Sequence, residues 1–183
     1  MRLDPQKLLR EGKLIAALMS SELDLLQEVE QRLGQIFGPC ELTGELYSFD
    51  AFSAYYEREM GTRLQKKFIS FADMIQVETL PDIKHRTNAI EAEYAVNEQR
   101  RINIDPGYVT HAQMVLATTK PYSHRIYLGN GIHAELTYLC KGKNFYPMAW
   151  TYPDYRQPFA IRFFEQVRAL YLQEMRARRE SKI

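Results

Sequence analysis

The stretch LIAALMSSELDLLQEVEQRLGQIFGP, residues 14–39, decides the fold class. Its first six residues form an apolar run of strand length, and Ser20-Ser21-Glu22 then supplies capping residues with an acid in the first turn. Leu23, Leu26, Val29, Leu33, Ile36 and Phe37 recur at helical spacing, and Gly38-Pro39 stops the helix. Working outward, residues 41–49 (ELTGELYSF) read as a second strand. Residues 50–61 form an aromatic and acidic connector with room for one helical turn. Residues 64–71 (LQKKFISF) alternate as a third strand. Pro81 opens a helix reaching about Asn97, and residues 101–104 form a fourth strand closed by the turn Asp105-Pro106-Gly107. The order strand, helix, strand, strand, helix, strand is the ferredoxin-like split βαβ order.

The second half reads differently. Strands are expected at 114–118, 124–128, 132–139 and 145–151. Asn130-Gly131 lies between two of them and is a strong hairpin signal, because both turn residues adopt positive φ. An amphipathic helix over 159–178, with Phe163, Val167, Leu170 and Met175 near one face, closes the chain. The cations of RARRESK, residues 176–182, read as a solvated helix end. The expectation is one α+β domain spanning 1–183: a mainly antiparallel sheet with a ferredoxin-like βαββαβ first half, a β-hairpin extension and a C-terminal helix.

Composition narrows the function classes. The chain has 183 residues, 45% of them hydrophobic and 26% charged, which suits one packed core. Its 24 Lys and Arg against 23 Asp and Glu give no global footprint for nucleic acid or a membrane. Cys40 and Cys140 make neither a disulfide framework nor a CxxC metal pair, and are expected as buried small apolar residues. MRLDPQKLLREGK at the start has no apolar segment of signal-peptide type, and no run reaches membrane-span length, so a cytoplasmic location is expected.

Residues 84–156 carry a dense polar block. With a two-residue turn at Asn130-Gly131, Leu128 faces His133, Ile126 faces Glu135 and His124 faces Thr137. His124, His133 and Glu135 then share one sheet face, where they offer an acid–base group or, for His133 and Glu135, a pair of metal ligands. A solvated outer sheet face is the plainer reading. On the other face Arg125, Tyr127, Ile132, Ala134, Leu136 and Tyr138 look like core. Before the hairpin, Lys120, His124 and Arg125 fall close together on a loop stiffened by Pro121, a combination suited to phosphate or carboxylate. Arg101, Asn103 and Asp105 alternate along one strand face. Lys84, Asn88 and Glu91 form a helical stripe at i, i+4, i+7, which by itself reads as a solvated face. Asp154 and Arg156, flanked by tyrosines, either line a pocket or pack a corner before the last helix.

The runs RRINIDPGYVT (100–110), MVLATTKPYSHRIYLGNGIHAELTY (114–138) and MAWTYPDYR (148–156) resemble an uncharacterised family of prokaryotic proteins, classed as a domain of unknown function. SFDAFSAYYEREMG (48–61) and the Lys84, Asn88, Glu91 spacing fit the same resemblance, which extends over nearly the whole chain. Some members carry the label GTP-binding protein, but this sequence has no GxxxxGK[ST] phosphate loop. The resemblance implies no established activity and no catalytic residues.

The expectation for function is a site for a small anionic ligand, phosphorylated or nucleotide-like, in a possible hydrolase or transferase with no evident nucleophile. Asp105, His124 and Glu135 are the candidate catalytic groups. Lys84, Asn88, Glu91, Arg101, Asn103, Lys120, Arg125, Tyr127, Asp154 and Arg156 are the candidate ligand contacts. The sequence names no cofactor and no oligomeric state. The alternative is a non-enzymatic RNA- or protein-binding module, with Tyr108, Tyr122, Tyr127 and Tyr138 available to stack bases. An oligomer with a tyrosine-rich interface is a third reading.

Overall fold

The computed structural model describes residues 10–181. The reading of the first residues therefore concerns a segment that mostly lies outside the described part. The fold is α+β and is built on one sheet. Its central strand, β1 (Glu11–Ser20), is buried along almost its whole length because helices cover both of its faces. Helix α1 (Leu23–Phe37) follows, then short strands β2 (Cys40–Thr43) and β3 (Tyr47–Ser48), and a single-turn helix α2 (Glu57–Met60). Strand β4 (Gln65–Gln76) leads through a 3-10 turn into helix α3 (Leu80–Glu93). Strands β5 (Asn103–Val109), β6 (Gln113–Thr118), β7 (Ile126–Gly129), β8 (Ile132–Lys141) and β9 (Asn144–Pro147) complete the sheet, and helix α4 (Pro158–Glu180) closes the chain.

The strand order β2-β4-β1-β5-β6-β8-β7 contains the ferredoxin-like arrangement in its first four members, and the β1–β4, β1–β5 and β2–β4 pairs are all antiparallel. Leu14, Ala16 and Leu18 of β1 point to α1 and α3, where they meet Leu26, Val29, Leu33 and Ile83. Ile15 and Ala17 point the other way, to Phe163, Phe164 and Val167 of α4. Burying each such side chain contributes about 1.5–3 kcal/mol relative to exposure. Among the described residues, no helix is long and apolar enough to cross a membrane.

Several local expectations are corrected. The segment 41–49 is broken into β2 and β3, both paired with β4. In α1, Leu23 stays 55% exposed at the first position and Leu25 is buried instead; Ser20 Oγ accepts the Glu22 N–H at 3.0 Å just before the helix. Helix α3 ends at Glu93, before Asn97 and Glu98, which both have positive φ. Cys40 and Cys140 are free and only half-buried.

Asp105-Pro106-Gly107 is not a turn. β5 runs straight through it, pairing Asp105, Pro106 and Gly107 with Ala17, Ala16 and Ile15. Pro106 is tolerated because the β6 ladder begins only at Gly107, so one of its two flanks lacks a ladder. Gly107 is required by close approach: a Cβ there would collide with the Val115 carbonyl oxygen and stand 2.9 Å from Leu116 Cδ2.

The hairpin turn forms at Asn130-Gly131 with φ of 53° and 75°, but the register slips by one residue between Tyr127 and Gly129. Tyr127 therefore pairs with His133, and Ile126 pairs with Ala134. A second irregularity in β8, between its Val115 and Met114 pairings, turns Tyr138 onto the face of Glu135 and into the core. Each slip exchanges the faces of the residues beyond it. Tyr127 and Arg125 thus leave the expected core face, and Tyr138 is fully buried and unable to stack bases.

Replacing Gly107 by Ala should destabilise the protein by about 1–3 kcal/mol, the usual cost of overpacking. Urea unfolding measures it, and an unchanged midpoint would mean that β5 and β6 can separate there at no cost.

Candidate functional site

The site originates where two neighbouring strands part. β5 pairs with β1 along its whole length, but with β6 only from Gly107 to Val109. Ile104 consequently has no strand on its β6 side, and a buried peptide group left unpaired is costly. Two side chains of α3 replace the missing strand. The Ile104 N–H donates to the Glu91 carboxylate, and the Ile104 carbonyl accepts from Lys84 Nζ at 2.8 Å. Lys84 and Glu91 are two helical turns apart and thus on one face. The stripe expected to be solvated is buried, with Lys84 and Glu91 each 5% exposed.

A cavity of about 530 Å³ opens at this gap. It is lined by Asn103 and Asp105 of β5, Lys66 of β4, Asp154, and the α3 residues Lys84, Asn88 and Glu91. Glu135 of β8, residues 116–120 at the end of β6, and Phe49, Phe52, Tyr55, Tyr56 and Glu59 of the connector and α2 complete the lining. Tyr55, Tyr122 and Tyr152, each more than 40% exposed, stand at the mouth.

The lining holds five cations, Lys66, Lys84, Arg100, Lys120 and Arg125, and five carboxylates, Glu59, Glu91, Asp105, Glu135 and Asp154. Four of the cations are paired. Lys66 Nζ lies 2.7 Å from Asp154 Oδ2, which also accepts the Tyr47 hydroxyl at 2.8 Å. Lys66 stands over the Tyr155 and Phe49 rings, 4.7 and 5.0 Å from their centroids. Lys84 reaches Asp105 Oδ1 at 3.2 Å, and Asn103 Nδ2 donates to Asp105 Oδ2 at 2.7 Å. Arg125 holds Glu135 Oε2 through Nε at 2.8 Å and NH2 at 2.6 Å. Arg100 grips both oxygens of Glu59 and donates to Asn103 Oδ1 at 2.8 Å, so it ties α2 to the start of β5. Lys120 differs. Its Nζ donates to the Tyr55 hydroxyl at 2.8 Å and makes no salt bridge among the described residues, although its charge helps to hold the Glu59 carboxyl down.

Three buried atoms of the lining residues have no protein partner among the described residues: Asp154 Oδ1, Glu135 Oε1 and the Tyr155 hydroxyl. Burial, reinforced by the carboxylates of Asp154 and Asp105, keeps the Tyr155 phenol protonated by pushing its pKa well up.

The two acids nearest Lys84 diverge. Burial raises Glu91, and the Lys84 cation, the Ile104 N–H and Arg100 only partly oppose it. Burial also acts to raise Asp105, but Lys84, Lys66 and the bond from Asn103 outweigh it and hold the carboxyl below its usual value. The Asp105 side chain is 31% accessible although protein surrounds it, so its open surface faces the cavity. Paired acids with opposite shifts are a common arrangement where protons are moved.

Of the residues singled out from the sequence, Lys84, Asn88, Glu91, Asn103, Asp105, Lys120, Arg125, Glu135 and Asp154 line this one cavity. Others lie elsewhere. Arg101 turns outward to Glu22, and Arg156 binds the carbonyls of Met148, Ala149 and Thr151, closing the turn before α4. Tyr127 stands exposed on β7 beside His133, with ring centroids 5.1 Å apart. His124 stacks on Trp150 at 5.1 Å and reaches Glu135 Oε2 at 3.2 Å from behind the lining. Among the described residues, no group of three or more His, Cys, Asp or Glu is placed to hold a metal ion, and Glu135 is engaged by Arg125 and His124 rather than by His133.

Sequence reasoning missed Lys66, Arg100, Glu59, Tyr56 and Tyr155. Lys66 had a readable signal, since it alternates with Leu64 and Phe68 on the inward face of a strand. Arg100 had none, because the alternation selected its neighbour Arg101.

Residues 10–171 match the family described as a domain of unknown function (DUF4416). The chain belongs to that family. The match takes in every element that contributes to the cavity. No curated protein and no solved structure matches the chain.

The raised Glu91 gives a pH signature. Its contribution to stability is fully present below the ordinary glutamate value, about 4.3, and is lost as pH rises through the higher folded value. Glu91→Gln keeps an oxygen for Ile104 and removes the titration. The variant should therefore gain stability relative to the parent between pH 4 and pH 7 in urea unfolding. A difference that does not vary with pH would place Glu91 at its ordinary pKa.

Proposed function

We propose that the cavity binds a small anionic ligand, phosphorylated or nucleotide-like, with the anion at the mouth beside Lys120. The observation that carries this reading is the state of Lys120. The other four lining cations are matched by carboxylates, whereas Lys120 rests on a tyrosine hydroxyl and the Tyr55 ring. An ammonium with no carboxylate in salt-bridge contact, at the mouth of a cavity, offers charge-assisted bonds to an incoming anion.

The walls support a ligand that also has a flat body. Phe49, Tyr55, Tyr56, Tyr122 and Tyr152 line the cavity, and aromatic faces stack on planar rings. The volume of about 530 Å³ is within the usual range for small-molecule sites. If chemistry occurs there, Asp105 is the candidate base, since it is held ionised and opens to the cavity, and Glu91 is the candidate acid. Glu135, pinned by Arg125, is better suited to ligand contact. The alternative of an RNA-binding module has weaker support. Tyr138 is in the core, and the balanced charges of the lining offer no track for a polynucleotide backbone.

Calorimetry with the nucleoside monophosphates AMP, GMP, CMP and UMP, and with inorganic phosphate, tests the reading. Lys120→Ala should weaken the tightest of these by roughly 10- to 100-fold, the loss of one charge-assisted bond. Unaltered affinity in that variant would remove Lys120 from the anion site, and a steep gain for single-stranded RNA at low salt would favour the binding module.

A further inference from the structure

We infer that residues 50–63 form a lid on the cavity, and that an anion bound at Lys120 shuts it by also accepting the Tyr55 hydroxyl. This inference rests on the anion reading of the same cavity and adds a second donor and the movement that completes the site.

The segment is a loop closed at its neck. Asp50 Oδ2 accepts the Arg63 N–H at 2.6 Å, Asp50 Oδ1 accepts the Leu64 N–H at 3.1 Å, and the Phe49 N–H donates to the Leu64 carbonyl at 2.8 Å. Compact surface loops whose ends meet are frequently functional. Between Ala51 and Arg63 only Met60 is buried. It packs beside the neck on Met19, Phe49 and Leu64, with the half-buried Tyr56 ring against the same cluster. Phe52, Ser53, Tyr55, Tyr56 and Glu59 of this loop line the cavity. Away from the neck, three side-chain contacts fasten the loop to the body. Arg100 holds both oxygens of Glu59, the Phe52 ring meets Tyr47 with centroids 5.9 Å apart, and Lys120 donates to Tyr55. A segment with so few buried apolar contacts opens at low cost, and lids are drawn from such segments.

Tyr55 is where the loop meets the anion site. Its side chain is well exposed, and its hydroxyl makes one hydrogen bond among the described residues, accepting from Lys120 Nζ at 2.8 Å. An ammonium has three donors, and a phenol that accepts a bond keeps its own proton to give. Lys120 Nζ and Tyr55 Oη therefore both have donors to spare, and at 2.8 Å apart they can reach oxygens of one phosphate. Without an anion, a single bond joins the end of β6 to the loop at this point. An anion that accepts from both atoms bridges them and adds a charge-assisted bond to the closure. Glu59, the carboxylate that the loop brings near Lys120, is already neutralised by Arg100.

Hydrogen exchange followed by mass spectrometry on the full chain tests the lid. The probe is whichever of AMP, GMP, CMP, UMP and inorganic phosphate binds most tightly, at a saturating concentration. Exchange across residues 51–63 should slow by about tenfold or more when it binds, the worth of one bond to a charged group, with helix α1 unaffected. Tyr55→Phe keeps the ring over Lys120 and removes only the hydroxyl. The variant should bind the same probe about tenfold more weakly and, once saturated, should lose the slowing. Equal exchange with and without bound probe in the parent protein overturns the inference, as does the same slowing in Tyr55→Phe as in the parent. In either case a weakened Lys120→Ala leaves the anion site standing. Absence of binding by all five probes overturns both.

Discussion

The peptide group of Ile104 is the constraint around which this site is arranged. A strand inside a sheet needs hydrogen-bond partners on both sides, and β6 turns away before it reaches Ile104. Lys84 and Glu91 fill that role with side chains in place of main chain. The substitution keeps β5 extended while leaving a gap beside it, and the gap becomes the cavity. It also brings opposite charges to a place where a sheet would normally supply none. Asp105, Asn103 and Arg100 then gather around those charges. The cavity and the polar network have one origin.

The rest of the wall follows from the cost of burying charge. Each buried ion needs a partner and further hydrogen bonds, and removing one member of such a pair usually costs about 3–5 kcal/mol. Lys66 illustrates this. It meets Asp154 on one side and aromatic rings on the others, and Asp154 in turn accepts the Tyr47 hydroxyl. A well-packed apolar cluster would fill the same volume more simply. Arg100 extends the arrangement to α2, fixing the aromatic connector as a side of the cavity by two bonds to Glu59.

Most of the architecture was legible in the sequence because it follows from periodicity. The apolar run at 14–19, the helix after it and the Asn130-Gly131 turn all fall where spacing and turn chemistry place them. What escaped depends on contacts between distant segments. Asp-Pro-Gly has turn chemistry, yet the pairing of Ala16 with Pro106 and the tight fit of Gly107 against β6 keep it straight. Lys84, Asn88 and Glu91 have the spacing of a solvated stripe, and only the parting of β5 from β6 makes that face interior. The hairpin shows the limit most clearly. Its turn was readable, but the irregularities between Tyr127 and Gly129 and within β8 each moved side chains to the opposite face. Single-residue bulges leave no strong mark in the sequence.

The equal numbers of cations and carboxylates around the cavity have an electrostatic consequence. Paired charges a few ångströms apart cancel at distances beyond a Debye length, about 8 Å at physiological ionic strength. The four paired cations therefore cast little field into solution, and Lys120 is the lining cation left outside those pairs. Within the cavity, away from bulk water, each bond of these pairs acts in a poorly screened medium. Added salt therefore reaches these pairs far less than it would reach the same pairs on the open surface.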